Sequence, residues 1–164
     1  MLLLAGCGYH FSGTGINLPE GVSQLKIELF NNQTTEPYLE TVLTDMLSFR
    51  LMRQHNIELV EDAESADAVL TGAIQQYDIS ASAFDTLDKV RAYRVTMKIS
   101  ARLKRVTDGK ILWQGVIIRF EDFANGSVTI TAEEDLEATM QRKVSARIAE
   151  EISWQMATGF GADK

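Results

Sequence analysis

The 164-residue chain holds one cysteine, two prolines and two histidines. A lone Cys7 cannot form an intramolecular disulfide, so the fold must rest on packing. His10 and His55 stand 45 positions apart with no metal-ligand spacing between them. No apolar run approaches the ~20 residues of a membrane helix. Gly-x-Ser-x-Gly, His-Glu-x-x-His and the phosphate loop are all missing. Gly13-Thr14-Gly15 follows no strand and opens no helix. Glu61-Asp62 suits a solvated turn, and Glu133-Glu134-Asp135 suits the positive end of a helix dipole. No catalytic residue, metal or cofactor is expected.

What is present reads as one globular domain: 45% of residues are hydrophobic and 24% charged. This length buries a real core without staples. The net charge of -7 is uneven. Residues 89–119 hold nine bases and one acid, so this window is +8 and the rest is -15. A concentrated basic segment in an acidic protein points to local anion binding, or to two regions that offset each other across the surface. Nucleic acid is disfavoured by the net charge and by export.

Export is read from Leu4-Ala5-Gly6-Cys7, which matches a bacterial lipobox. Small residues let a peptidase cut beside a lipid-modified cysteine at the membrane surface. Residues 1–6 are too short for a full signal peptide and read as its remnant. Cys7 then carries the lipid, and several acyl chains anchor far better than one. Residues 7–21, rich in Gly, Ser and Asn, read as a tether.

Along the chain, Leu25, Ile27 and Leu29 alternate with Lys26 and Glu28 as a strand over 22–30. Asn31–Thr35 is a turn, and Pro37 suits a first helical position. Leu39, Val42, Leu43, Met46 and Leu47 mark a helix to about Gln54. Ile57–Val60 is a short strand and Ala68–Ile79 a long one, where Gly72 predicts a bulge or a close contact. Val90–Val106 alternates most clearly. Thr131 with Glu134 makes a capping box. Leu136, Met140, Val144, Ile148, Ile152 and Met156 then trace a long helix. The expectation is α+β: two helices packed on one face of a mostly antiparallel four-stranded sheet, ordered β-α-β-β-β-α with one extra short strand. The domain spans 22–158, with a tail at 159–164.

Asp108-Gly109 predicts a two-residue type I′ hairpin loop. That register sets Lys104 opposite Trp113, Arg102 opposite Gly115, Lys98 opposite Arg119 and Arg94 opposite Phe123. One face then joins Arg94, Lys98, Arg102, Lys104 and Arg119 to Trp113, Ile117 and Phe123. Cations mixed with apolar groups suit an amphiphilic anion such as a phosphorylated lipid, or a partner surface. Packing of this face on a loop is the other reading. A slip of one residue exchanges the faces.

The stretches LAGCGYHFSG, LFNNQTTEPYLE and ADAVLTGAI, then the DGKILWQG hairpin and a final long helix, resemble the LptE (RlpB-like) family of LPS-assembly lipoproteins. The resemblance runs from about Cys7 to Met156. It implies two helices on a four-stranded sheet and no enzymatic activity. It also implies a lipid-anchored protein of the outer membrane's periplasmic leaflet that plugs and helps assemble the LptD β-barrel and binds lipopolysaccharide. Cys7 is the lipid attachment site by this motif. Family members can place bases at the strand-connecting loop, where Lys89 and Arg91 are the nearest candidates here. Two other readings stand beside it. One is an outer-membrane adaptor or pilotin for a different secretion pore. The other is a periplasmic enzyme, which would need a concave pocket of convergent titratable groups.

Overall fold

The structure is a computed structural model and describes residues 17–124 and 133–159, with side chains in the last segment from 136 onward. The lipid site at Cys7, residues 1–6, most of the expected tether and the Thr131–Glu134 capping box lie outside the described residues.

Strands β1 (Gln24–Ile27), β2 (Asn31–Asn32), β3 (Glu58–Leu59), β4 (Ala68–Phe84), β5 (Val90–Arg105) and β6 (Ile111–Ala124) form one sheet. Helices α1 (Leu39–Met52) and α2 (Glu133–Thr158) cover one face. The strand order is β3-β1-β4-β5-β6, with β2 also on β4. This corrects the expected four-stranded sheet. β1 pairs in parallel with both β3 and β4, and β2 pairs in parallel with β4, so the six-stranded sheet is mixed. The physical reason is the β1-α1-β3 crossover, which returns the chain in the direction it left.

Both helices use a four-residue spacing that keeps one stripe facing the sheet. Leu39, Leu43, Leu47 and Leu51 are fully buried on α1, and Val144, Ile148, Ile152 and Met156 on α2. The first strand ends sooner than its alternation suggests: Leu29 is 63% exposed and Phe30 enters the core instead. Leu18 is also buried, and Glu20 pairs with Arg105 and Lys110. The last residues of the expected tether are therefore folded onto the domain.

Gly72, Ala101 and Gly115 lie side by side across β4, β5 and β6. The lack of a side chain lets Phe30 lie flat on Gly72, where a Cβ would sit 2.7 Å from the ring's Cδ1. Gly72 thus marks a close contact, while the nearest of the β4 irregularities falls at Gln75.

The loop before α1 is tied to α2. Asn32 Nδ2 donates to the Glu36 carbonyl (2.7 Å) and to Glu40 Oε2 (2.9 Å). Gln141 Nε2 donates to Glu36 Oε1 (2.7 Å). Burial, and then the Glu137 carboxyl beside it, raise the Glu36 pKa above its ordinary value. Burial pushes Tyr77 up as well, aided by Glu36 and Glu137. The Tyr77 hydroxyl is buried with no hydrogen-bond partner among the described residues.

Two predictions follow from this packing. Gly72→Ala should lower stability by about 1–3 kcal/mol, the usual range for overpacking, as read by urea unfolding. Phe30→Leu in the same chain should recover part of the loss. Glu36 has a folded pKa above its unfolded value of 4.5, so its stabilising share is full below that pH and fades as pH rises through the folded value. Glu36→Gln should flatten the fall in unfolding midpoint between pH 4.5 and neutral.

Candidate functional site

The sheet face away from the helices is open. On β5 the odd positions Val95, Met97, Ile99, Ala101 and Leu103 are buried, and the even positions Arg94, Lys98, Arg102 and Lys104 point to the open side. That is the division the alternation predicts.

The β5–β6 register differs from the expected one. Arg105 N–H donates to the Lys110 carbonyl (2.8 Å), so Val106–Gly109 form a four-residue loop. Gly109 has φ 72°, whereas Asp108 has a negative φ, which rules out type I′. The longer loop moves the pairing by two, and an extra residue at Leu112 returns one. Leu103 thus faces Trp113, Ile99 faces Ile117 and Tyr93 faces Phe123.

A net slip of one exchanges the faces of β6. Trp113 is fully buried, with Ile117 and Phe123 nearly so. The placement of Trp113 among the cations is therefore corrected: it belongs to the core under α2. Arg119 is likewise on the helix side, where it pairs with Glu151. The open side of β6 carries Gln114, Val116, Ile118, Phe120 and Asp122, and the three apolar members are 59%, 53% and 56% exposed. Sequence reasoning missed this row. A signal was available. The two-residue loop set Lys98 against Arg119, a repulsive pair, while the observed register sets Arg94 against Asp122.

The cations of the open face differ in what they are free to do. Arg94 donates twice to Asp122 (2.8 Å each) and lies 4.6 Å over the Phe120 ring. Its hydrogen bonds to Asp122 raise its own pKa and lower that of the carboxyl. Arg94 is therefore already partnered. Among the described residues Arg102 Nε donates to Thr71 Oγ1 (3.2 Å) and the rest of its fork is open. Lys98 and Lys104 have no ion-pair partner among the described residues.

Arg102 borders a shallow depression of about 650 Å³, with Asn31, Thr71, Ser100, Gln114 and Val116 around it and the Gly72, Ala101 and Gly115 backbone as its floor. The depression offers a guanidinium, hydroxyls and amides, a donor set for an oxyanion or a sugar.

Lys89 and Arg91 lie elsewhere, at the β4–β5 hairpin tip. Arg91 pairs with Asp85 at 3.2 Å, and Asp85 Oδ1 accepts the Leu87 and Lys89 N–H groups. Eleven residues of extended strand separate Arg91 from Arg102, roughly 35 Å. The structure brings together Lys98, Arg102 and Lys104, and leaves the tip pair apart. Among the described residues no group of three His, Cys, Asp or Glu side chains could hold a metal ion, and no helix is long and apolar enough to cross a membrane.

Comparison with known proteins agrees with this architecture. Rare lipoprotein B from Shewanella oneidensis is similar at 14% identity and a TM-score of 0.53, over 84% of this chain and 96% of that one. Uncharacterized lipoprotein B from Nitrosomonas europaea gives 17% and 0.52, over 91% and 92%. A putative lipoprotein from Caulobacter crescentus gives 15% and 0.55, over 82% and 92%. At such identities the likeness is one of fold. No curated protein matches the chain. The family model LptE, for lipopolysaccharide assembly, matches residues 22–156, from two residues before β1 to the last turn of α2. The chain belongs to the LptE lipopolysaccharide-assembly family.

Proposed function

We propose that the chain is an outer-membrane lipoprotein, lipidated at Cys7, that plugs a β-barrel of the LptD type, helps it assemble and binds lipopolysaccharide in transit. The observation that carries the ligand part is the open-face group Lys98, Arg102 and Lys104 around a depression lined with hydroxyls and amides. Lipopolysaccharide phosphates would take charge-assisted hydrogen bonds from Arg102 and the lysines. Sugar hydroxyls would exchange bonds with Thr71, Ser100 and Gln114. The protein's role is to hold and place, with no bond made or broken. Family membership supports the barrel partner and the envelope location. Arg94 contributes less than the other three, because Asp122 already holds it. Lys89 and Arg91 would meet a different part of the partner or ligand, at the hairpin tip.

Arg102→Glu with Lys104→Glu should weaken lipopolysaccharide binding at least ~tenfold, since a hydrogen bond to a charged group is worth roughly 1.5–3 kcal/mol. Both side chains are exposed, so the unfolding midpoint should hold. Unchanged affinity in a titration with purified lipopolysaccharide would sink the open-face site.

Affinity isolation of the lipidated chain from outer membranes should recover an LptD-type barrel. Recovery of a secretion pore instead would favour the adaptor reading. Cys7→Ser should release the protein from membranes with no change in domain stability.

A further inference from the structure

The two edges of the sheet are unlike. β3 and β2 close one side with two residues each, and beyond Ile74 the projecting part of β4 is itself the edge there among the described residues; β6 ends the other side with 14. Proteins blunt their sheet edges with short strands, proline or unpaired charge, because an open edge templates another strand. β6 has no proline, and its ionisable groups are neutralised from within. Arg119 pairs with Glu151, Glu121 with Arg147 (2.9 Å) and Asp122 with Arg94 (2.8 Å). No described strand pairs on the far side of β6. What it presents at alternate open-face positions is Val116, Ile118 and Phe120, each more than half exposed.

We infer that β6, between Gln114 and Glu121, is a docking edge that takes an extended segment of the barrel partner as an additional strand. This deepens the reading of the chain as a barrel-associated lipoprotein and rests on it. Main-chain hydrogen bonds along the edge supply affinity, and the alternate side chains supply specificity. The chemistry of the segment follows from its neighbours. Apolar residues at alternate positions would continue the row of Val116, Ile118 and Phe120. A carboxylate among them would face Lys98, which lies across β5 from Ile118 on the same side and has no ion-pair partner among the described residues. The strand spacing puts that carboxylate's backbone roughly 10 Å from β5, a gap that a lysine and an acidic side chain span together. The segment is thus apolar at its open-face positions, with an acidic side chain at the one beside Ile118. The neutral edge neither repels nor attracts by itself, so Lys98 sets the preference.

The test uses the lipidated full chain and its barrel isolated together from outer membranes. Ile118→Lys should cut barrel recovery at least ~tenfold while leaving lipopolysaccharide binding and the unfolding midpoint intact, because Ile118 is 53% exposed. Val116→Lys should cut barrel recovery by a similar factor. In the wild-type complex, amide hydrogen exchange over 114–121 should slow at least ~tenfold relative to the free chain. Unchanged exchange there, in a complex that does form, would overturn strand addition whichever way the variants behave. So would full barrel recovery by both variants. A second copy of this chain cross-linked through position 118 would overturn it too. If the wild-type chain recovers no LptD-type barrel, the parent reading fails and takes this one with it.

Discussion

Trp113 is the residue on which the arrangement turns. It sits fully buried on the helix side of β6, opposite Leu103, with the α2 residue Gln155 near its edge. An aromatic ring buries about 150–250 Å², worth roughly 4–6 kcal/mol at 25 cal/mol per Å². Moving β6 by one position would turn Trp113, Ile117 and Phe123 to water together. The same slip would bury Val116, Ile118 and Phe120 in their place, so the net loss is the difference, chiefly the indole of Trp113 and the refit of a close-packed core. The register is therefore not negotiable, and every open-face residue of β6 takes its place from it.

Because both helices are spent on covering one face, the surfaces left for recognition are the other face, the β6 edge and the hairpin tip. α2 fixes the helix side of β6 by pairing with Arg119 and Glu121, and Lys143 lies 5.1 Å over Phe123. The same pairs that hold α2 down strip β6 of unpaired charge. The basic character seen in the sequence is thereby concentrated on β5, in Lys98, Arg102 and Lys104. A central cationic strand flanked by an apolar edge is a consequence of how the core was closed, and it is also what an anion and a strand would need.

Much of this was legible in the chain. The period-two pattern of β5 gave the right faces, and the four-residue leucine and aliphatic stripes gave both helices. β1 and β3 were legible as strands, but β2 and the parallel pairing were not, since these strands hold only four, two and two residues and their partners lie far along the sequence. The candidate site was half legible. Its cations came from β5 alone, but its apolar members depended on loop length. Asp-Gly promises a two-residue turn, while the loop used has four residues and a bulge follows at Leu112. The adjacent pair Leu112-Trp113 and the Lys98–Arg119 clash of the shorter loop both argued against the simpler register. Tertiary burial of Trp113 settled what local turn preference could not.

Length decides how the basic residues divide. β5 runs 16 residues, roughly 54 Å as extended chain, whereas α1 spans 14 residues, roughly 21 Å. Strand therefore outruns helix, and from Asp78 to Phe84 every residue of β4 is exposed. The projecting arm carries Phe84 and Leu87, 61% and 74% exposed, beside the Arg91–Asp85 pair at its tip. No single phosphate group can bridge Arg91 and Arg102 at roughly 35 Å. Once Arg94, Arg105, Lys110 and Arg119 are set aside in their ion pairs, the rest of the +8 window falls in two places: a depression on the covered part of the sheet, and Lys89 with Arg91 on an arm that reaches beyond it. A ligand that felt both would have to be long, or be passed from one to the other.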